Sequence, residues 1–223
     1  MKLHTLDLDA LDQRHRARLV NSLSGFKSAN LVGTINQEGQ DNLSIVSSVF
    51  HLGAKPTLLG MIIRPASVPR HTLENLLETG YYTINHVNTG MIEQAHQTSA
   101  RYDRAVSEFD AVGFSREFSS LFAAPYVAES RLKLGVKLVS TQTLEVNCTV
   151  LVIGEVIEIL TEDSVVQADG YIDIEALDSV CLSGLDSYHE ARRVSRYSYA
   201  KTDRQPTPLA LDGRSNKDSK TDS

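Results

Sequence analysis

Only two cysteines, Cys148 and Cys181, occur among the 223 residues, and neither belongs to a CxxC pair. A disulfide framework and a cysteine-based metal or redox centre are therefore excluded, and both thiols are expected to be reduced and partly buried. Nowhere does an apolar run approach the ~18 residues needed to span a bilayer. The first twenty residues mix apolar with charged side chains and lack the uninterrupted apolar core of a secretion signal, so a cytoplasmic location is expected. Positive charge is also in deficit, with 22 Lys and Arg against 28 Asp and Glu and a formal net charge of -6. That balance offers no electrostatic footprint to nucleic acid or to a membrane surface. No two glycines stand two residues apart and no Gly-Lys pair exists, which removes the GxGxxG dinucleotide fingerprint and the P-loop. HExxH and GxSxG are missing too, and the seven histidines are scattered, so neither a metal site nor a serine hydrolase is indicated.

What is present is an ordinary soluble mixture, 41% apolar and 22% charged, in a chain long enough for one sizeable core. The organisation expected is a domain over residues 1–201 and a flexible polar tail over 202–223, where two prolines and few apolar residues cannot repay the entropy of ordering. Leu8, Leu11, Leu19 and Leu23 predict an amphipathic helix over residues 8–23. Strands are predicted over 29–35, 42–50, 57–63 and 81–87, with a hairpin loop at 36–41, and a short helix over 72–78 that Gly80 ends. Further helices are expected near 91–97 and 115–122, then one long β segment over 143–160 in which Gly154 provides a kink or bulge. Residues 175–196 read as helical and turn-rich. Short links between strands of antiparallel style favour a β-barrel with helical insertions over a doubly wound parallel sheet.

Chemistry concentrates between Asn42 and Thr72. Ser44, Ser47 and Ser48 put hydroxyls where a half-buried strand would rather carry Val or Ile, and hydroxyls are natural donors to phosphate oxygens. Serines on a solvated sheet face are the plain structural alternative. Arg70 stands just before Thr72 at a predicted helix N-terminus, where free N–H groups and the helix dipole favour an anion. A guanidinium fork there would complete a phosphate site.

The ordered set Ser24–Thr34, Asn42–Phe50, Lys55-Pro56, Arg64-Pro65, Arg70-His71-Thr72, Thr79-Gly80 and Thr83-Ile84-Asn85 resembles the flavin reductase-like FMN-binding split-barrel family over roughly residues 20–200. The resemblance implies a mainly β, Greek-key split barrel that forms a homodimer and binds FMN, or FAD, near the subunit interface. It implies that Ser47 and Ser48 meet the ribityl and phosphate groups and that Arg70 and Thr72 clamp the phosphate. Ser28, Ala29 and Asn30 would face the polar edge of the isoalloxazine, and Asn85 would lie close to the flavin. Arg64 either serves the phosphate or only closes its strand. Tyr199 either reaches the flavin pocket or belongs to a surface helix over 187–201. His51, His71, His86 and His189 are each either proton donors near the flavin or hydrogen-bonded structural residues.

The activity so implied is hydride transfer from NADH or NADPH to flavin N5, with electrons then passed to oxygen, an oxygenase or another acceptor. The cofactor would carry the hard chemistry, and no dedicated acid–base pair is required. A flavin-dependent oxidase or oxygenase, and a non-catalytic flavin- or haem-binding barrel, are the competing readings.

Overall fold

The computed structural model describes residues 1–65 and 67–215. Seven strands form one antiparallel sheet: β1 Asn30–Ile35, β2 Asp41–Val46, β3 Val49–Gly53, β4 Leu58–Ile63, β5 Tyr81–His86, β6 Lys133–Leu144 and β7 Thr149–Leu160. Their order is β2-β1-β5-β6-β7-β4-β3. The two edge strands, β2 and β3, are consecutive in the chain and joined only by Ser47-Ser48. The sheet thus curls until its edges meet at a two-residue corner, which is the split of a split barrel.

Alternation along the strands sets the layers. Val32, Met61, Tyr82, Ile84, Val136 and Val152 turn inward and pack with Leu73 and Leu76 of α3 (His71–Thr79), so this helix closes one end of the barrel. Leu31 and Leu43 turn the other way, onto Met91, Ala95 and Phe109 around α4 (Ile92–Gln97) and α5 (Glu108–Val112). Both faces of β1 are therefore buried, its polar Asn30 and Thr34 included. Truncating a side chain as buried as Leu76 would cost about 2–5 kcal/mol.

Gly154 is required by packing. A Cβ at this position would lie 2.2 Å from the Tyr82 hydroxyl and 2.4 Å from Val136. The β6–β7 register shifts beside it, so the expected bulge is there. Gly80 ends α3 with φ 76°, in the left-handed region that glycine enters freely.

On its other side β3–β4–β7 has a second apolar surface. Because Val49, Met61 and Val152 pack inward, their neighbours Phe50, Gly60, Ile62, Leu151 and Ile153 face out, with Phe50 opposite Gly60 and Gly60 opposite Ile153. Phe50 is 41% and Leu52 44% exposed.

Several expectations are corrected. The predicted helix over 8–23 is two helices, α1 (Thr5–Ala10) and α2 (Gln13–Ser22), because the Asp12 carboxylate accepts the amides of Arg14 and His15 and starts a new helix. Asn42–Phe50 is two strands, not one. The helix expected over 115–122 is not formed: Arg116–Glu117 pairs with Tyr126–Val127, and the helix lies earlier, at Glu108–Val112. The long β segment is only the second arm of a hairpin that begins at Lys133 and turns at residues 145–148. Residues 175–196 hold no helix. Val180–Ser183 and Ser187–Glu190 make a hairpin beside Lys27–Ser28. In the stretch expected as a tail, Pro208–Leu209 pairs with Arg196–Tyr197, and Arg196 binds Asp169. Residues 216–223 lie outside the described part.

Candidate functional site at the split of the barrel

The corner between β2 and β3 is laced by one hydroxyl and left open at the other. Ser48 Oγ donates to the carbonyl of Ile62 on β4 at 2.7 Å, which ties the corner to the strand beside β3. The half-buried Ser47 hydroxyl has no partner among the described residues, so it can donate to a ligand. Across the split, Ser28 Oγ donates to Val49 O at 3.5 Å and accepts from Asn30 Nδ2 at 2.8 Å. Asn30 is fully buried, yet its Oδ1 has no donor. A buried acceptor left alone at a rim is the kind of group that a ligand N–H or a water completes.

Two residues beyond Ile62, β4 ends at Arg64-Pro65, and this is where the split meets α3. Pro65 O accepts from Arg70 Nε at 3.2 Å, and Glu74 Oε1 accepts from the Arg70 amide at 3.2 Å. The head of Arg70 is thereby fixed at the helix start while its terminal nitrogens reach no carboxylate. Its pKa is lowered, first by burial and then by the positive charges of Arg64 and Arg101. Among the described residues neither Arg64 nor Arg101 pairs with a carboxylate, and the nearest acid to Arg70, Glu74, receives its backbone amide.

Thr72, in the first turn of α3, is held from β2. Asn42 Nδ2 donates to Thr72 Oγ1 at 2.9 Å, and Ser44 Oγ lies 2.8 Å from the same oxygen. When Ser44 is the donor, both lone pairs of Thr72 are used and its own O–H is free to donate to an anion. Ser44 is therefore a support for the site and not a residue of a solvated face.

Behind these donors sits a buried acid. The Glu108 carboxylate, on α5, accepts the Leu43 amide at 2.9 Å. Burial raises its pKa and nearby Asp41 adds to the rise, while the Leu43 amide and His71 oppose it. His71 opens α3 between Arg70 and Thr72.

Ser28 and Asn30 thus meet β3, Ser47 and Ser48 form the corner that is tied to β4, Arg64 and Arg70 flank the end of β4, and Thr72 is held from β2. Three expected residues are placed otherwise. Asn85 is fully buried with its amide committed: Nδ2 donates to Leu31 O and Thr83 Oγ1, each at 3.0 Å, and Oδ1 accepts the Val127 amide at 3.0 Å. It acts as a tie between strands. Ala29 lies in the core between the barrel and its helices. Tyr199 is 87% exposed, on a segment that is not helical.

Of the histidines, His51 is exposed on β3. His86 is pushed down to about 4 by burial, and it is neutral near pH 7. His189 lies 2.8 Å from the Ser183 hydroxyl across the hairpin, a structural pairing. Sequence reading missed Glu108, whose carboxylate reaches the Leu43 amide of β2 from 65 residues further along the chain. No group of three or more metal-ligating side chains occurs among the described residues, and no described helix is long and apolar enough to cross a membrane.

Comparison with known proteins agrees with this architecture. The model of the flavin reductase like domain matches residues 24–174. A split barrel domain protein of Shewanella frigidimarina NCIMB 400, assigned as a flavin reductase, is 56% identical, and the match covers 90% of this chain and all of that one with a TM-score of 0.87. Nitrilotriacetate monooxygenase component B from Bacillus cereus matches at 18% identity over 86% of this chain and 96% of its own, TM-score 0.77. Flavoredoxin of Desulfovibrio vulgaris matches at 20% identity over 91% of this chain and 97% of its own, TM-score 0.68. The last two likenesses concern the fold.

Proposed function

The chain belongs to the flavin reductase-like family, and from that premise we propose that it is an FMN-binding flavoprotein that takes a hydride from NADH or NADPH and passes the electrons to an acceptor. The observation that carries the reading is Arg70, held at the start of α3 by Pro65 O with no carboxylate on its guanidinium, two residues before Thr72, whose hydroxyl is oriented by Asn42 and Ser44. A donor set of that kind fits a phosphate, and the unpaired Asn30 Oδ1 at the rim fits an N–H of a ring system.

The bound flavin would supply the two-electron chemistry at its N5. Arg70, held by Pro65 O, and Thr72, held by Asn42, would fix the phosphate end. Ser47 would donate to the chain between phosphate and ring, and Ser48 would keep the corner closed through Ile62. Asn30 and Ser28 would orient the ring edge. Neutral His86 offers no cationic proton at neutral pH, which accords with a reaction that needs no acid–base pair.

The outward apolar strip of Phe50, Leu52, Ile62, Leu151 and Ile153 supports a homodimer as the working form. A soluble sheet apolar on both faces needs a cover. Sedimentation of Phe50→Asp/Leu52→Asp should show a monomer where the wild type is a dimer, and a wild type that sediments as a monomer would contradict this part. An oxygenase as acceptor is supported by the name of the Bacillus cereus neighbour, a component of a monooxygenase.

Stopped-flow mixing tests the activity. NADH or NADPH alone should bleach the absorption of the protein-bound flavin rapidly. Bleaching that waits for a further organic substrate would favour an oxidase or oxygenase instead.

A further inference from the structure

Beside the split lies a small sheet of which the site described above uses only Ser28. Lys27–Ser28 pairs with Val180–Ser183, which pairs in turn with Ser187–Glu190, and the register sets Ser28, Cys181 and His189 directly opposite one another. Val180, Leu182 and Tyr188 pack into the core around Leu31 and Phe109. Their alternates Cys181, Ser183 and His189 therefore face away from that core, on the same side as Ser28. Ser28 Oγ reaches Val49 O at 3.5 Å and accepts from Asn30 Nδ2 at 2.8 Å. The face thus continues into the rim where the buried Asn30 Oδ1 has no donor among the described residues. Two strand spacings put His189 about 10 Å from Ser28.

This face has the makings of a platform for a flat ring. His189 Nε2 lies 2.8 Å from Ser183 Oγ, which fixes the imidazole and leaves Nδ1 without a partner among the described residues. Phe26, 70% exposed, stands edge-on to the same imidazole with 4.9 Å between ring centres. An aromatic side chain left that open offers its face to a ligand. The row of Phe26, Ser28, Cys181, Ser183 and His189 holds no carboxylate, ammonium or guanidinium. It therefore suits an uncharged planar group and not a phosphate. The carboxamide of a reduced nicotinamide is such a group. It carries both a donor and an acceptor, so it pairs with Nδ1 in either tautomer of His189.

We propose that His189, with Phe26 beside it, positions the nicotinamide of NADH or NADPH against a flavin bound at the split. Nδ1 of His189 pairs with the carboxamide, and the Phe26 ring packs on the nicotinamide ring. Ser183 acts through His189, as its positioning residue. This rests on the reductase reading above, in which Ser28 and Asn30 meet the edge of the flavin ring.

The test is stopped-flow reduction of the full-length, FMN-loaded protein over a range of NADH and NADPH concentrations, for the wild type, Phe26→Ala, His189→Ala, His189→Asn and His189→Gln. His189→Ala should raise the half-saturating concentration about five- to tenfold, with the limiting rate of bleaching and the FMN affinity within about twofold of wild type. Phe26→Ala should raise it about threefold. The two amides separate ligand binding from a structural role. Asn places its amide where Nδ1 stands and should recover part of the loss. Gln places its amide where Nε2 stands, keeps the bond to Ser183, and should recover none. Recovery by Gln but not by Asn would overturn the proposal while leaving the reductase reading intact, as would half-saturation within about twofold of wild type in His189→Ala. A wild type that binds FMN and is bleached by neither nucleotide would remove the reductase reading and this proposal together.

Discussion

Arg70 opens α3 and Arg116 follows α5, and the surroundings of these two residues of one type are opposites. Arg116 lies between Asp41 and Asp110, donates to Ser107 at 2.9 Å, and sits 5.0 Å from the centre of the Phe109 ring. Its pKa is raised, first by the hydrogen bonds to Asp110 and Asp41. Arg70 has one carbonyl, two neighbouring arginines and a lowered pKa. The first guanidinium has a complete set of partners and staples α5 to β2. The second is positioned but not neutralised, and that incompleteness marks a place for an anion.

The contrast can be broken most directly by exchanging the two losses. Arg70→Ala should weaken FMN by about 2–3 kcal/mol, since a charge-assisted phosphate contact goes, and leave the unfolding midpoint nearly unchanged. Arg116→Ala should lower stability by about 2 kcal/mol by stranding the mostly buried Asp41, with FMN affinity of the folded protein kept. Titration calorimetry and urea unfolding on both variants decide this, and equal effects of both on binding would end the distinction.

His86 sharpens the comparison through pH. Its pKa is lowered on folding, from about 6.5 to about 4. The folded state therefore prefers the neutral ring, and the stability from this preference is present above about pH 6.5 and lost as pH falls toward about 4. The loss should be about 2–3 kcal/mol in urea unfolding, and His86→Gln should flatten that slope. Glu108 has the opposite sign. Its raised pKa means that stability is full below the ordinary carboxylate range and declines as pH rises through the folded value, so Glu108→Gln should be stabilising or neutral near pH 7.

Smaller effects separate neighbouring serines. Ser48→Ala should cost about 1 kcal/mol of stability through the lost bond to Ile62, whereas Ser47→Ala should cost about 1 kcal/mol of FMN affinity and no stability. Tyr199→Ala should change neither by more than about 0.5 kcal/mol.

Much of the barrel was legible because hydrophobic periodicity and turn residues agree there. Gly80 and Gly154 were found as a helix stop and a bulge for reasons that the packing bears out. The β6–β7 turn was missed because residues 145–148 carry no glycine or proline. Cys148 itself takes φ 58° there. In the stretch 115–122, Phe122 packs on Tyr126 and Tyr81 while Phe118 is exposed, so the two share no buried helical face. At the site, Ser47, Ser48, Arg70 and Thr72 form a compact segment that a sequence can show. Glu108 depends on its bond to the Leu43 amide, and Asn85 became a structural tie through Val127, both of them tertiary facts without a local signature.

On the proposed reading, Arg70 and Thr72 at the split of the barrel hold the phosphate of a flavin. Titration of the purified wild-type protein with FMN and with riboflavin at one pH and low salt tests it most directly. FMN should bind at least tenfold more tightly than riboflavin. Equal affinity for the two, or no binding of either, would contradict it.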